Sequence, residues 1–79
     1  MIAYKRIYLE YFQYGIDDYV PSEVSGKRAT EIHHILPKSL GGKDEIENLI
    51  ALTREEHEEA HRSPVYNKKL KEKHLIYIA

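Results

Sequence analysis

The chain has 79 residues, 42% of them hydrophobic and 32% charged, with a formal net charge of −1, a size that allows one small domain whose limited burial calls for a staple. With no cysteine, disulfides and thiolate zinc sites are excluded, leaving a histidine-bound metal, self-association or unusually good packing. No stretch approaches the roughly 18 apolar residues of a membrane span, and Met1 to Phe12 mixes charges with tyrosines, so the expectation is a soluble, cytoplasmic chain with no membrane partner.

Ala3 to Tyr14 repeats Tyr4, Ile7, Tyr8, Tyr11 and Phe12 at helical spacing before Gly15. Residues 1–15 therefore read as an N-terminal helix, its tyrosines in the core with hydroxyls at the rim. Asp17 to Gly26 has no period and carries Pro21, Ser22, Ser25 and Gly26, the composition of a loop with a tight turn. Arg28 to Leu36 is β-compatible and is ended by Pro37 and Gly41-Gly42. After a connecting loop from Lys38 to Glu47, the run "NLIALT", Asn48 to Thr53, has strand length and predicts an antiparallel hairpin with the first strand.

"TREE", Thr53 to Glu56, has the form of a capping box, in which a threonine hydroxyl and a glutamate carboxylate satisfy each other's orphan backbone donors. A helix follows through "REEHEEAHR", and Ser63-Pro64 ends it while offering an N-cap and a first-turn proline for another, Val65 to about Lys73. The closing "LIYIA" fits either helix extension or strand. No internal repeat or second domain is visible, so residues 1–79 read as one α+β domain.

The chemistry concentrates in histidines. His57 and His61, four apart on the predicted helix, project from one face close enough to share an ion. His33 and His34 are adjacent on the predicted first strand, where neighbours point to opposite faces. If the hairpin packs on the helix, His33 joins His57 and His61 as a third ligand, leaving positions open for water and substrate. His34 then stays free beside the ion, with a ring nitrogen able to take a proton from an attacking water. In-line displacement at phosphorus needs that pairing, a base at the incoming water and a cation at the departing oxygen.

The ordered set His33-His34, Asn48, His57 and His61, with "GG" in the loop and "NLIAL" in the second strand, resembles the HNH endonuclease family over roughly Val20 to Arg62. The resemblance implies a ββα-metal core over residues 20–62, a β-hairpin plus helix around one divalent ion, followed by a basic extension over 63–79. It implies phosphodiester hydrolysis in nucleic acid, usually DNA. Position by position, it makes His33, His57 and His61 metal ligands, with His61 matching an extra helix ligand found in the colicin nuclease domains. By the same comparison His34 is the general base, and Asn48 is the residue whose amide orients the loop carrying that base. Three imidazoles favour Zn²⁺ or Ni²⁺ over Mg²⁺ on ligand softness, so the bound ion and an activating Mg²⁺ or Mn²⁺ need not be the same.

Two features depart from the family pattern. Many phage-type relatives carry paired C-x-x-C knuckles around a structural zinc, and here those positions are Ser22, Ser25, Thr53 and Glu56, so that zinc should be absent. Glu55, Glu56, Glu58 and Glu59 crowd the helix histidines, and carboxylates near a phosphate path oppose binding. The cations expected to meet phosphates are Lys38, Lys43, Arg54, Arg62, Lys68, Lys69, Lys71 and Lys73. "HEEAH" also fits the zinc-protease pattern H-E-x-x-H with Glu58 as base, but that reading leaves His33, His34 and Asn48 without a role. A further alternative keeps the fold without the chemistry, as a metal-stabilised nucleic-acid- or protein-binding module.

Overall fold

A computed structural model describes residues 2–79 as an α+β arrangement of a two-stranded antiparallel sheet and three helices. The first helix, α1, spans Ala3–Tyr11, three residues fewer than the apolar stripe predicts. Gln13 adopts φ 61°, and the Tyr14 and Gln13 amides donate back to the Leu9 and Glu10 carbonyls at 2.8 and 3.1 Å. This is a Schellman end, so a glutamine in the left-handed region stops the helix before Gly15 is reached.

Strands β1 (Glu31–His34) and β2 (Leu49–Leu52) pair with His33 opposite Ile50 and His34 opposite Leu49. Both are shorter than expected because their flanks hold other bonds. Arg28 pairs with Pro21 in an isolated bridge, the Leu36 amide donates to the Asn48 side chain at 2.7 Å, and Thr53 is the N-cap of the next helix. The connecting loop is wound into two 3-10 turns, Lys38–Leu40 and Ile46–Asn48. At its tightest point a Cβ on Gly42 would lie 1.7 Å from the Leu36 carbonyl oxygen, a contact that backbone must move to relieve. Gly42→Ala should cost about 1–3 kcal/mol, readable as a lower melting temperature by calorimetry.

Every residue of β2 is buried, as expected of a strand covered on both faces. On one face Ile35, Ile50 and Leu52 pack with Ala60 and Leu70 from α2 (Arg54–Arg62) and α3 (Pro64–Tyr77). On the other, Leu49 and Ala51 pack with Tyr8 of α1, and Ile32 lies against them. The predicted capping box is present: Thr53 Oγ1 accepts from the Glu56 amide at 3.2 Å, and the Thr53 amide donates to Glu56 Oε1 at 2.8 Å.

Helix α3 starts on the Ser63 cap with Pro64 at its first position, and the ambiguous "LIYIA" continues it as helix through Tyr77. The expected basic extension is thus a core element as well, because His74 is fully buried. Its Nδ1 lies 2.7 Å from Glu23 Oε1 and its Nε2 faces the Ile46 carbonyl at 2.5 Å, while the Tyr8 hydroxyl donates to Glu23 Oε2 at 2.6 Å. Tyr8 and Glu23 are buried too, so one polar knot pins α1, the 22–26 turn, α3 and the connection into β2. Among the described residues, no helix is long and apolar enough to cross a membrane.

Candidate active site

The alternation of β1 sends its two histidines to different sides of the sheet. His33 is buried on the α2–α3 side, where its ring centroid lies 4.9 Å from that of His57 and 5.4 Å from that of His61. His34 sits half-buried on the α1 side, with the Tyr4 ring edge-on at 4.5 Å between centroids. All four imidazoles line one hollow together with Tyr4, Glu31, Pro37 and Lys38.

Helix geometry supplies the rest of the cluster. One turn apart on α2, His57 and His61 bring their Nε2 atoms to 3.1 Å, close to the roughly 3.3 Å that two nitrogens span in a tetrahedral shell with Zn–N bonds of about 2.0–2.1 Å. One nitrogen from each of His33, His57 and His61 falls within 4.8 Å of the others, a donor set that fits a divalent ion. Burial drops the His33 pKa to about 4 against the Asn67 hydrogen bond, aided by the neighbouring imidazoles. The His57 pKa is likewise lowered, first by burial and then by His61. Both rings are therefore neutral at pH 7 with lone pairs available, the state a metal ligand needs.

Two partners that spacing did not reveal fix the paired histidines. Asp44, from the connecting loop, accepts from His34 Nε2 at 2.8 Å and from Lys38 Nζ at 3.3 Å. The His34 bond, working against desolvation and helped by Lys38, holds its carboxyl below the usual range. Asn67 on α3 places Oδ1 at 2.8 Å from His33 Nε2 and donates from Nδ2 to the Ile35 carbonyl at 2.8 Å. Asp44 was hidden within a run of charges, and Asn67 lay on a helix read only for its lysines.

Asn48 does not touch the imidazoles. Buried at the end of the second 3-10 turn, it accepts from the Leu36 amide at 2.7 Å and donates to the Leu36 and Lys43 carbonyls at 3.0 and 3.1 Å. It thereby closes the loop that leaves His34 and carries Asp44.

The basic residues divide by environment. Arg54 and Arg62 are paired along α2 with Glu58 at 3.6 Å and Glu59 at 2.6 Å, which blunts both as phosphate contacts and turns Glu58 to an exposed ion pair. Lys38 stands at the mouth of the histidine hollow. Lys43 and Lys71 line a second hollow beside Leu36 and Asn48, Lys68 and Lys71 border a third, and Lys69 and Lys73 are exposed on α3. Of the other two acids on α2, Glu55 is exposed and Glu56 turns inward, with Ser22 Oγ donating to Glu56 Oε1 at 2.5 Å. The Val24 and Ser25 amides donate to Ser22 Oγ at 3.0 and 3.3 Å. Positions that are cysteines in knuckle-bearing proteins thus meet here as a hydrogen-bonded cluster around one carboxylate.

A family model described as HNH endonuclease matches residues 21–63, more than half of the chain. The chain belongs to the HNH endonuclease family. Its hairpin and α2 form the family's ββα unit, and α1 and α3 lie outside the HNH match. The "Probable mobile endonuclease C" of Enterobacteria phage T4 is 38% identical over 52 residues, 63% of this chain and 25% of that protein. The "Probable mobile endonuclease B" of the same phage is 56% identical over 32 residues, 40% of this chain and 12% of that protein. An uncharacterized 38.5 kDa protein in psbA intron 1 of Chlamydomonas moewusii is 56% identical over 46 residues, 56% of this chain and 13% of that protein. The HNH chain therefore spans a quarter or less of the length of these relatives. No solved structure gives a significant match.

Proposed function

We propose that residues 1–79 act as one metal-dependent endonuclease domain that hydrolyses phosphodiester bonds in DNA. The observation that carries this reading is the division of labour at β1: His33 converges with His57 and His61, while His34 stands apart from them in the same hollow. Those three imidazoles would hold a divalent ion, which when bound would supply positive charge to the phosphoryl group and its departing oxygen. The donor set favours Zn²⁺ or Ni²⁺ as the resident ion.

His34 is the general base. The ionised Asp44 carboxylate accepts the Nε2–H of His34, which leaves Nδ1 with its lone pair to receive the proton of an attacking water. When the ring becomes cationic, the same carboxylate stabilises it, the logic of an Asp–His pair in acyl transfer. Asn48 keeps the loop carrying Asp44 in place through its three backbone bonds.

Incubating purified protein with supercoiled plasmid and Mg²⁺, Mn²⁺, Zn²⁺ or Ni²⁺ should give nicked or linear DNA with at least one ion and none after chelation. No cleavage with any of them, with the fold intact and the ion bound, would favour the binding-module alternative. The lysines away from the chemistry act on affinity. Lys71→Ala should weaken DNA binding about equally for all sequences and reduce the salt slope by about one, measured by fluorescence anisotropy across a salt series.

A further inference from the structure

The function proposed above assigns His33 as a ligand but leaves open which of its two nitrogens does the binding. The answer lies in the hydrogen-bond directions around Asn67. The Ile35 carbonyl can only accept, so the Asn67 atom facing it at 2.8 Å is the NH₂ group. The other end of the amide, Oδ1, is therefore what faces His33 Nε2 at 2.8 Å, and an amide oxygen also can only accept. His33 Nε2 must carry the proton. In a neutral imidazole that puts the lone pair on Nδ1.

We infer that Asn67 is a positioning residue for the metal centre: it locks His33 in the Nε2–H tautomer, so that His33 binds the ion through Nδ1. The inference rests on the reading of His33, His57 and His61 as ligands, and it draws α3, which lies wholly beyond the family match over residues 21–63, into the working site. A ligand imidazole whose second nitrogen donates to a fixed acceptor is held in orientation and made a better donor, and loss of such a partner typically costs 10–100-fold in metal affinity. The Ser63 cap and the buried Leu70 set the position of Asn67 on α3, so the end of one helix and the start of the next are both tied to ligand geometry.

The bland account of Asn67 is a tether between α3 and β1, and two substitutions separate it from the inference. Asn67→Leu removes both hydrogen bonds. Asn67→Asp keeps an oxygen acceptor for Nε2–H and replaces the donation to Ile35 with a carboxylate oxygen facing that carbonyl. Zn²⁺ affinity of the metal-free proteins, measured by calorimetry with thermal melting as a control for folding, should fall about 10–100-fold in Asn67→Leu and stay at or above the wild-type value in Asn67→Asp. A mere tether predicts equal losses in both.

A second readout needs neither variant nor ion. Long-range ¹⁵N–¹H correlation spectra of the metal-free wild-type protein should show His33 Nε2 as the protonated nitrogen and Nδ1 as the bare one. The opposite tautomer, or an Asn67→Leu protein that stays folded and binds Zn²⁺ as tightly as wild type, would overturn the inference while sparing the ligand assignment. A wild-type protein that binds no Zn²⁺ would instead overturn the ligand assignment, and the inference with it.

Discussion

Replacing His34 with alanine is expected to reduce plasmid cleavage by about 10²–10⁴-fold while leaving Zn²⁺ affinity and melting temperature near wild type. The expectation follows from where the ring sits. His34 projects to the α1 side of the sheet, away from the imidazole cluster, and its hydrogen-bonded partner, Asp44, is a loop residue and not a ligand. Truncation removes the proton acceptor without removing a donor to the ion. His57→Ala should behave oppositely, losing ion affinity first and cleavage as a consequence. Single-turnover cleavage alongside Zn²⁺ calorimetry on both variants tests the pair, and a His34→Ala protein that cleaves at the wild-type rate would remove the base assignment.

The second large effect is thermodynamic. Glu23→Ala should destabilise the fold by about 3–5 kcal/mol, the usual cost of leaving one member of a buried ion pair alone, against a total of roughly 4–12 kcal/mol for a chain of this length. His74 has the Ile46 carbonyl at Nε2 and the Glu23 carboxylate at Nδ1, so both of its nitrogens face acceptors and the cation is the form that satisfies them. Burial acts to lower its pKa, but the bonds to Glu23 and Ile46 outweigh that and hold it above the ordinary value. The sign of the pH dependence follows. A raised folded-state pKa contributes stability that is complete below the unfolded value near 6.5 and is lost as pH rises through the folded value. The melting-temperature gap between wild type and Glu23→Ala should therefore be widest below about pH 6.5 and narrow as pH rises through the folded-state value. A gap that is constant with pH would mean His74 is neutral in the fold.

What the sequence disclosed was whatever has a short period. Two-residue alternation correctly sent His33 and His34 to opposite faces, four-residue spacing brought His57 beside His61, and "TREE" announced its own capping box. The misses share a different cause. Glu23 and His74 find each other across 51 positions, and Asn67 reaches His33 across 34. No local pattern marks either pairing, because each is decided by how elements stack after they form. Strand ends were overshot for a related reason: the Leu36 amide is β-compatible in sequence but is claimed by the Asn48 side chain. Of the tyrosine stripe of α1, Tyr8 is core but turns its hydroxyl against Glu23 instead of showing it at the rim, Tyr4 packs half-buried against that core with its ring edge-on to His34, and Tyr11 is exposed.

The junction of Ser22, Thr53 and Glu56 has a practical corollary. Built from hydroxyls and one carboxylate, it offers nothing for peroxide or an alkylating reagent to attack, unlike a thiolate joint. Handling in air should leave it as sound as handling under reductant. Acid is where it gives way: although burial pushes the Glu56 carboxyl up, the bonds from Ser22 and Thr53 win and hold it below the usual range. Its contribution persists at neutral pH and disappears as the carboxylate takes up a proton.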